Sequence, residues 1–120
     1  MAHIALHFFV PLLVALAFYR KRWRLACVVL IATMLVDVDH LLADPIYDPA
    51  RCSIGFHPLH SLPAIAVYLG LFLIPFLPGF RNHDATAGRV GKARLVQLIG
   101  LGLLIHMALD WADCWDWFPS

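Results

Sequence analysis

The stretch Arg20-Lys21-Arg22-Trp23-Arg24-Leu25-Ala26-Cys27-Val28-Val29-Leu30-Ile31-Ala32-Thr33-Met34-Leu35-Val36-Asp37-Val38-Asp39-His40-Leu41-Leu42 decides the fold. A basic cluster opens onto an apolar run that closes on two aspartates and a histidine. About 20 residues of helix cross the roughly 30 Å of bilayer hydrocarbon, and lysine and arginine collect on the cytoplasmic side. The stretch therefore reads as a transmembrane helix that leaves the cytoplasm at Arg24 and carries imidazole and carboxylate groups at its far end.

The same arrangement recurs outward from this segment. Apolar stretches over 2–19, 25–42, 58–77 and 95–111 predict an all-α fold, an integral membrane bundle of four transmembrane helices in one domain, 1–120. Arg20, Lys21, Arg22, Arg24, Arg81, Arg89, Lys92 and Arg94 fall in two connections, which are then cytoplasmic. Asp37, Asp39, Asp44, Asp48, Asp110, Asp113 and Asp116 fall in the segments between, with both termini, outside the cytoplasm; Arg51 and Asp84 are the exceptions. The apolar fraction of 62% and charged fraction of 14% exclude an ordinary soluble domain, in which about a quarter of residues are charged. A net charge of +1 gives no support for nucleic-acid binding and averages two faces of opposite sign. Membrane lipids are the expected surroundings, and the first segment, with no basic n-region, reads as a retained helix.

Several residues punctuate this plan. Pro58 is placed to start the third helix, with Pro75, Pro78 and Gly79 to close it, while Pro11 predicts a kink or an early-turn proline in the first. Gly100 and Gly102 offer close helix contact in the fourth. Cys27 reads as packing. Cys52 and Cys114 fall together in a compartment that permits disulfides, so a bridge between them competes with thiolate ligation of a metal.

The polar residues at the outer ends recur at helical spacings: His3 and His7, Asp37 and His40, His57 and His60, His106 and Asp110. Residues three or four apart share a helix face and can grip one ion. Imidazole and carboxylate are the usual ligands of zinc and related divalent ions. His7, Asp37, Asp39, His40, His57, His60, His106 and Asp110 are therefore expected to bind a divalent transition metal, zinc foremost, as two or more ions. Against this, Asp37 and Asp39 could be a polar helix end, His57 and His60 a helix cap, His106 and Asp110 an interhelical hydrogen bond, and His7 an interfacial histidine. Arg51 could hold an anionic phosphate or carboxylate in bidentate fashion, or pair with Asp48. His83 reads as a solvated loop residue, and Ser61 as a helix-start or supporting residue.

Val36-Asp37-Val38-Asp39-His40-Leu41-Leu42, Arg51-Cys52-Ser53-Ile54-Gly55-Phe56-His57-Pro58-Leu59-His60-Ser61 and Leu104-Ile105-His106-Met107-Ala108-Leu109-Asp110 resemble the motifs of a small bacterial membrane family of unknown function. That family is related to the inner-membrane metal-dependent hydrolases, with Asp-x-Asp-His, His-x-x-His-Ser and His-x-x-x-Asp in order. The resemblance implies a bacterial inner-membrane location and Asp37, Asp39, His40, His57, His60, His106 and Asp110 as metal ligands. The last motif is also similar to that of zinc-dependent phospholipases C. The expected function is a metal-dependent hydrolase at the outer, periplasmic or extracellular face, acting on a phosphorylated or ester-bearing lipid or envelope substrate. In it Asp39 or Asp113 is the expected general base, and Arg51 orients the head group. The alternative is a non-catalytic protein whose ions clamp the helices or pass to a partner.

Overall fold

Residues 2–42, 44, 52, 54–78 and 92–114 are described by the computed structural model, the side chains of Ala2, His3 and Asp113 excepted. They build α1 (Ala2–Phe18), α2 (Trp23–Ala32), α3 (Leu62–Leu73) and α4 (Lys92–Cys114). No strand occurs among the described residues. α1 runs unbroken through Pro11. The helical stretches Arg20–Leu42 and Lys92–Ala112 are long and apolar enough to cross a membrane, whereas Ile4–Phe18 and Leu62–Phe76 are apolar but shorter. The basic connection over 79–91 lies outside the described residues.

α1 and α4 run antiparallel. At one end the Arg94 guanidinium sits 5.6 Å from the centre of the Tyr19 ring, so α4 begins where α1 finishes. At the other end His7, early in α1, meets Asp110, late in α4, at 3.3 Å. α4 packs on all three of the other helices. Its glycines make this approach close: a methyl on Gly100 would sit 2.6 Å from the Phe72 nitrogen and 2.8 Å from the Tyr68 carbonyl oxygen of α3, and one on Gly102 would collide with the Thr33 side chain. Small residues let backbones meet in this way, which adds dispersion contacts between the helices.

Two apolar clusters fill the middle. Ala15, Ala26, Leu30 and Leu98 form one, against which Cys27 packs as expected, and Val36, Tyr68 and Met107 form the other, beneath the polar end. Elsewhere the polarity is reversed from that of a soluble protein. His7, Asp39, His57, His60, His106 and Asp110 are buried, while Phe8, Phe18, Leu35, Leu42, Leu62 and Phe76 are exposed.

The helix after α2 departs from the expected geometry. Thr33–Leu42 is a 3-10 helix of 10 residues, far beyond the usual run of about 3–4. With three residues per turn, side chains three apart eclipse one another. Thr33, Val36 and Asp39 accordingly form one buried stripe, while Asp37 and His40 share a half-buried one. An α-helix would have carried Asp39 well away from the Thr33 stripe. The change begins where the Thr33 hydroxyl donates to the Leu30 carbonyl at 2.5 Å.

The third helix also differs from the expected span. Pro58–His60 forms a 3-10 turn, then Ser61 breaks the helix in extended backbone and caps α3, its Oγ accepting from the Ala64 N–H. Ser61 is thus a helix-start residue.

Gly100→Ala, which drives a methyl into backbone of α3, is expected to cost about 1–3 kcal/mol by overpacking. Gly70→Ala, with nothing within 4 Å of the added methyl, is expected to be neutral or to gain up to about 1 kcal/mol of helix propensity. Thermal unfolding in detergent measures both, and the reverse order would contradict the packing.

Candidate metal centre

Four structural pieces deliver the polar side chains to one end of the bundle. The 3-10 extension of α2 carries Asp37, Asp39 and His40; the turn before α3 carries His57 and His60; α4 carries His106 and Asp110; α1 carries His7. The turn is built tightly. Gly55, in the left-handed region at φ 82, donates its N–H to the His60 carbonyl at 3.0 Å, and the His60 N–H donates to the His57 carbonyl at 3.0 Å. Only glycine takes that backbone conformation without strain. Tyr68 of α3 donates its hydroxyl to the Leu59 carbonyl at 2.8 Å, tying the turn to the helix below.

Asp37, His60, His106 and Asp110 converge. His106 Nε2 lies 2.9 Å from Asp37 Oδ1 and 3.3 Å from Asp110 Oδ2. His60 Nε2 lies 3.4 Å from the same Asp37 oxygen and 3.0 Å from the same Asp110 oxygen. All four ligand atoms fall within 4.8 Å of one another. Two nitrogens and two oxygens at about 2.0–2.1 Å from a tetrahedral zinc would stand about 3.3–3.4 Å apart. The distances of 3.3 and 3.4 Å are at that spacing and those of 2.9 and 3.0 Å fall short of it, so a small outward shift of the side chains would admit an ion.

The contact of His106 Nε2 with Asp37 Oδ1 has the geometry of a hydrogen bond, but hydrogen bonds do not account for His60. His60 is wholly buried, yet among the described residues its Nε2 has no hydrogen bond of acceptable alignment, although two carboxylate oxygens lie within 3.4 Å. The nitrogen is near those oxygens without pointing at either, as happens when lone pairs face a common centre. An unmade hydrogen bond at a buried polar atom costs about 1–3 kcal/mol, and a metal ion removes that cost. These buried histidine and aspartate groups could hold a metal ion.

A second group, Asp39, His40 and His57, also brings ligand atoms within 4.8 Å of one another. His40 and His57 stack with ring centres 3.9 Å apart, and His40 Nδ1 is 3.1 Å from Asp39 Oδ1. The other Asp39 oxygen accepts the Leu59 N–H at 2.8 Å and meets His60 Nδ1 at 3.1 Å. The His7 ring stands edge-on to His106, with centres 4.4 Å apart, and its Nε2 approaches Asp110 Oδ1 at 3.3 Å.

All eight expected ligands are therefore gathered at one end, in two groups with His7 beside them. Arg51 and Asp48 lie outside the described residues, as does the side chain of Asp113. The expectations for Arg51 as a head-group anchor and Asp113 as a base rest on these positions. Tyr68 is a contributor that the sequence reading overlooked. Its only signal is a hydroxyl set in an apolar helix, two turns beyond Ser61.

Cys52 and Cys114 form a disulfide, so neither offers a thiolate. The bridge joins the segment leading to His57 with the end of α4 just beyond Asp110, tying together the backbones that carry both ligand histidines. Closing an interval of 62 residues removes unfolded-chain entropy worth about 4 kcal/mol. Cys52→Ser, or reduction of the bridge, is expected to lower unfolding free energy by about that amount, with Cys27→Ser near neutral. Denaturation of detergent-purified protein checks this, and equal effects would contradict it.

A family model described as a family of unknown function, DUF6122, matches residues 1–77. The match takes in Asp37, Asp39, His40, His57 and His60 and stops before α4, which supplies His106 and Asp110. No curated protein and no solved structure matches the chain. With well over half of its length in the match, the chain belongs to that family of unknown function.

Proposed function

We propose that the chain is a membrane-embedded, zinc-dependent hydrolase acting at the outer face of a bacterial inner membrane on a phosphorylated or ester-bearing lipid or envelope substrate. The observation that carries this reading is the unequal burial of the four converging ligands. The side chains of His60, His106 and Asp110 are 0%, 2% and 7% exposed, whereas that of Asp37 is 42% exposed. If Asp37 stood aside, two histidines and a carboxylate would hold an ion from inside and leave the accessible position to water, as in hydrolytic zinc sites.

Each residue then has a role. His60, His106 and Asp110 bind and orient from positions where water does not compete. A divalent ion bound there supplies Lewis acidity and makes water acidic enough to act as a nucleophile near neutral pH. Asp37, at the accessible edge, would accept the proton of the attacking water. Leu41, Leu42, Leu62 and Phe56, close in the chain to Asp37 or His60, are exposed and would suit the acyl or isoprenoid part of a lipid substrate whose head group reaches Asp37.

Membrane insertion with four crossings, both termini outside, is supported by the apolar exterior, by two helices of spanning length, and by basic residues at the end opposite the ligands. α1 and α3 then cross as shorter elements, covered at their ends by the polar groups. The disulfide supports an outer location for the ligand end, because such bonds persist in oxidising compartments.

A second reading has one observation in its favour: four ligands drawn from three separate backbone segments would clamp the bundle, turning metal affinity into folding energy. The two readings part on Asp37→Ala. For the hydrolase, this variant keeps its ion on three ligands and loses turnover of phospholipid, glycerolipid or polyprenyl-phosphate substrates by about 100-fold or more. For the clamp, zinc-loaded wild type turns over none of these classes, and chelation alone lowers the unfolding temperature. The assays are product release from defined lipids and elemental analysis of the same samples.

A further inference from the structure

We infer that Asp39 is a positioning residue of a centre that holds one ion: its carboxylate fixes the His60 ring so that Nε2 faces Asp37 and Asp110, and it does not itself bind metal. This rests on the reading of Asp37, His60, His106 and Asp110 as a metal centre.

Both Asp39 oxygens are engaged. Oδ2 accepts the Leu59 N–H at 2.8 Å and meets His60 Nδ1 at 3.1 Å, and Oδ1 meets His40 Nδ1 at 3.1 Å. An ionised carboxylate can only accept, so the proton of a neutral His60 resides on Nδ1 and the lone pair on Nε2. That nitrogen faces the two ligand oxygens at 3.0 and 3.4 Å and hydrogen-bonds neither in good alignment. A carboxylate behind the far nitrogen of a metal-binding imidazole fixes its tautomer and orientation and raises its basicity.

The backbone holds Asp39 to this task. It sits on the buried stripe of the 3-10 helix, 3% exposed, directly over the turn. The same oxygen that orients the His60 side chain also binds the N–H of Leu59, its chain neighbour, and Tyr68 anchors the Leu59 carbonyl from below. Side chain and backbone of the turn are thus aligned from one point. What sets Asp39 apart from Asp37 and Asp110 is that it accepts a backbone N–H, that of Leu59, and faces the far nitrogen of a ligand histidine. The group of Asp39, His40 and His57 is therefore assigned to support, and the centre to a single ion.

The test uses full-length protein in detergent, loaded with zinc. Elemental analysis is expected to give one equivalent per chain. Asp39→Ala is expected to bind zinc 10- to 100-fold more weakly in competition with a chelator, yet to hold one equivalent at saturation with an X-ray absorption first shell unchanged from wild type. Asp39→Asn keeps a carbonyl oxygen for the Nδ1 proton and is expected to recover part of the affinity; it carries the comparison alone if the alanine variant fails to fold. His60→Ala, by contrast, loses one imidazole from the first shell. Two or more equivalents in wild type, loss of an oxygen ligand in either Asp39 variant, or unchanged affinity would each overturn the assignment. Asparagine recovering nothing relative to alanine would do so too. No zinc in the wild-type protein would instead overturn the reading of the centre itself.

Discussion

Carboxylates buried among apolar helices are costly unless something compensates their charge, and this requirement organises the molecule. Asp39 and Asp110 are almost inaccessible, Asp37 only partly so, in a bundle that exposes many large apolar side chains. An uncompensated carboxylate in such surroundings costs several kcal/mol. Each one faces an imidazole nitrogen from a different part of the chain besides any local partner, so compensation is complete only when the segments meet. The polar end is accordingly both the site and the condition for assembling the bundle.

Local departures from regular structure serve this meeting. A 3-10 helix in place of a second α-helical segment brings Asp39 onto the inner stripe beside Val36. The break at Ser61 turns His60 inward before α3 sets off. The positive φ of Gly55 closes the hook that carries both histidines, and Gly100 brings α4, with His106 and Asp110, close enough to reach the others. None of these devices strengthens an isolated helix. Each becomes favourable once the ligands converge.

Much of this was legible in the sequence because charge and hydropathy are one-dimensional signals. The apolar runs gave the helices to within a few residues. The i,i+3 and i,i+4 spacings point to most of the side chains that gather, and the shared outer placement of Cys52 and Cys114 points to their bridge, with thiolate ligation as the competitor. The distribution of the ligands was not legible. An α-helical period pairs Asp37 with His40 but sends Asp39 elsewhere, and the switch to three residues per turn is settled by contacts with Leu59 and His60 that lie 20 and 21 positions away. Tyr68 was missed for the same reason, since its partner is a backbone carbonyl brought near only by the hooked turn. Membership in a family of unknown function agrees with the resemblance as far as the family itself. The tie to hydrolases is part of the proposal and rests on no match.

The most direct test of a single tetrahedral centre is the electronic spectrum of the protein titrated with cobalt(II), followed in wild type and in Asp110→Ala. The account predicts intense visible bands of tetrahedral cobalt that saturate at one ion per chain and collapse in the variant. Only the weak spectrum of six-coordinate cobalt, or bands indifferent to the loss of Asp110, would contradict it.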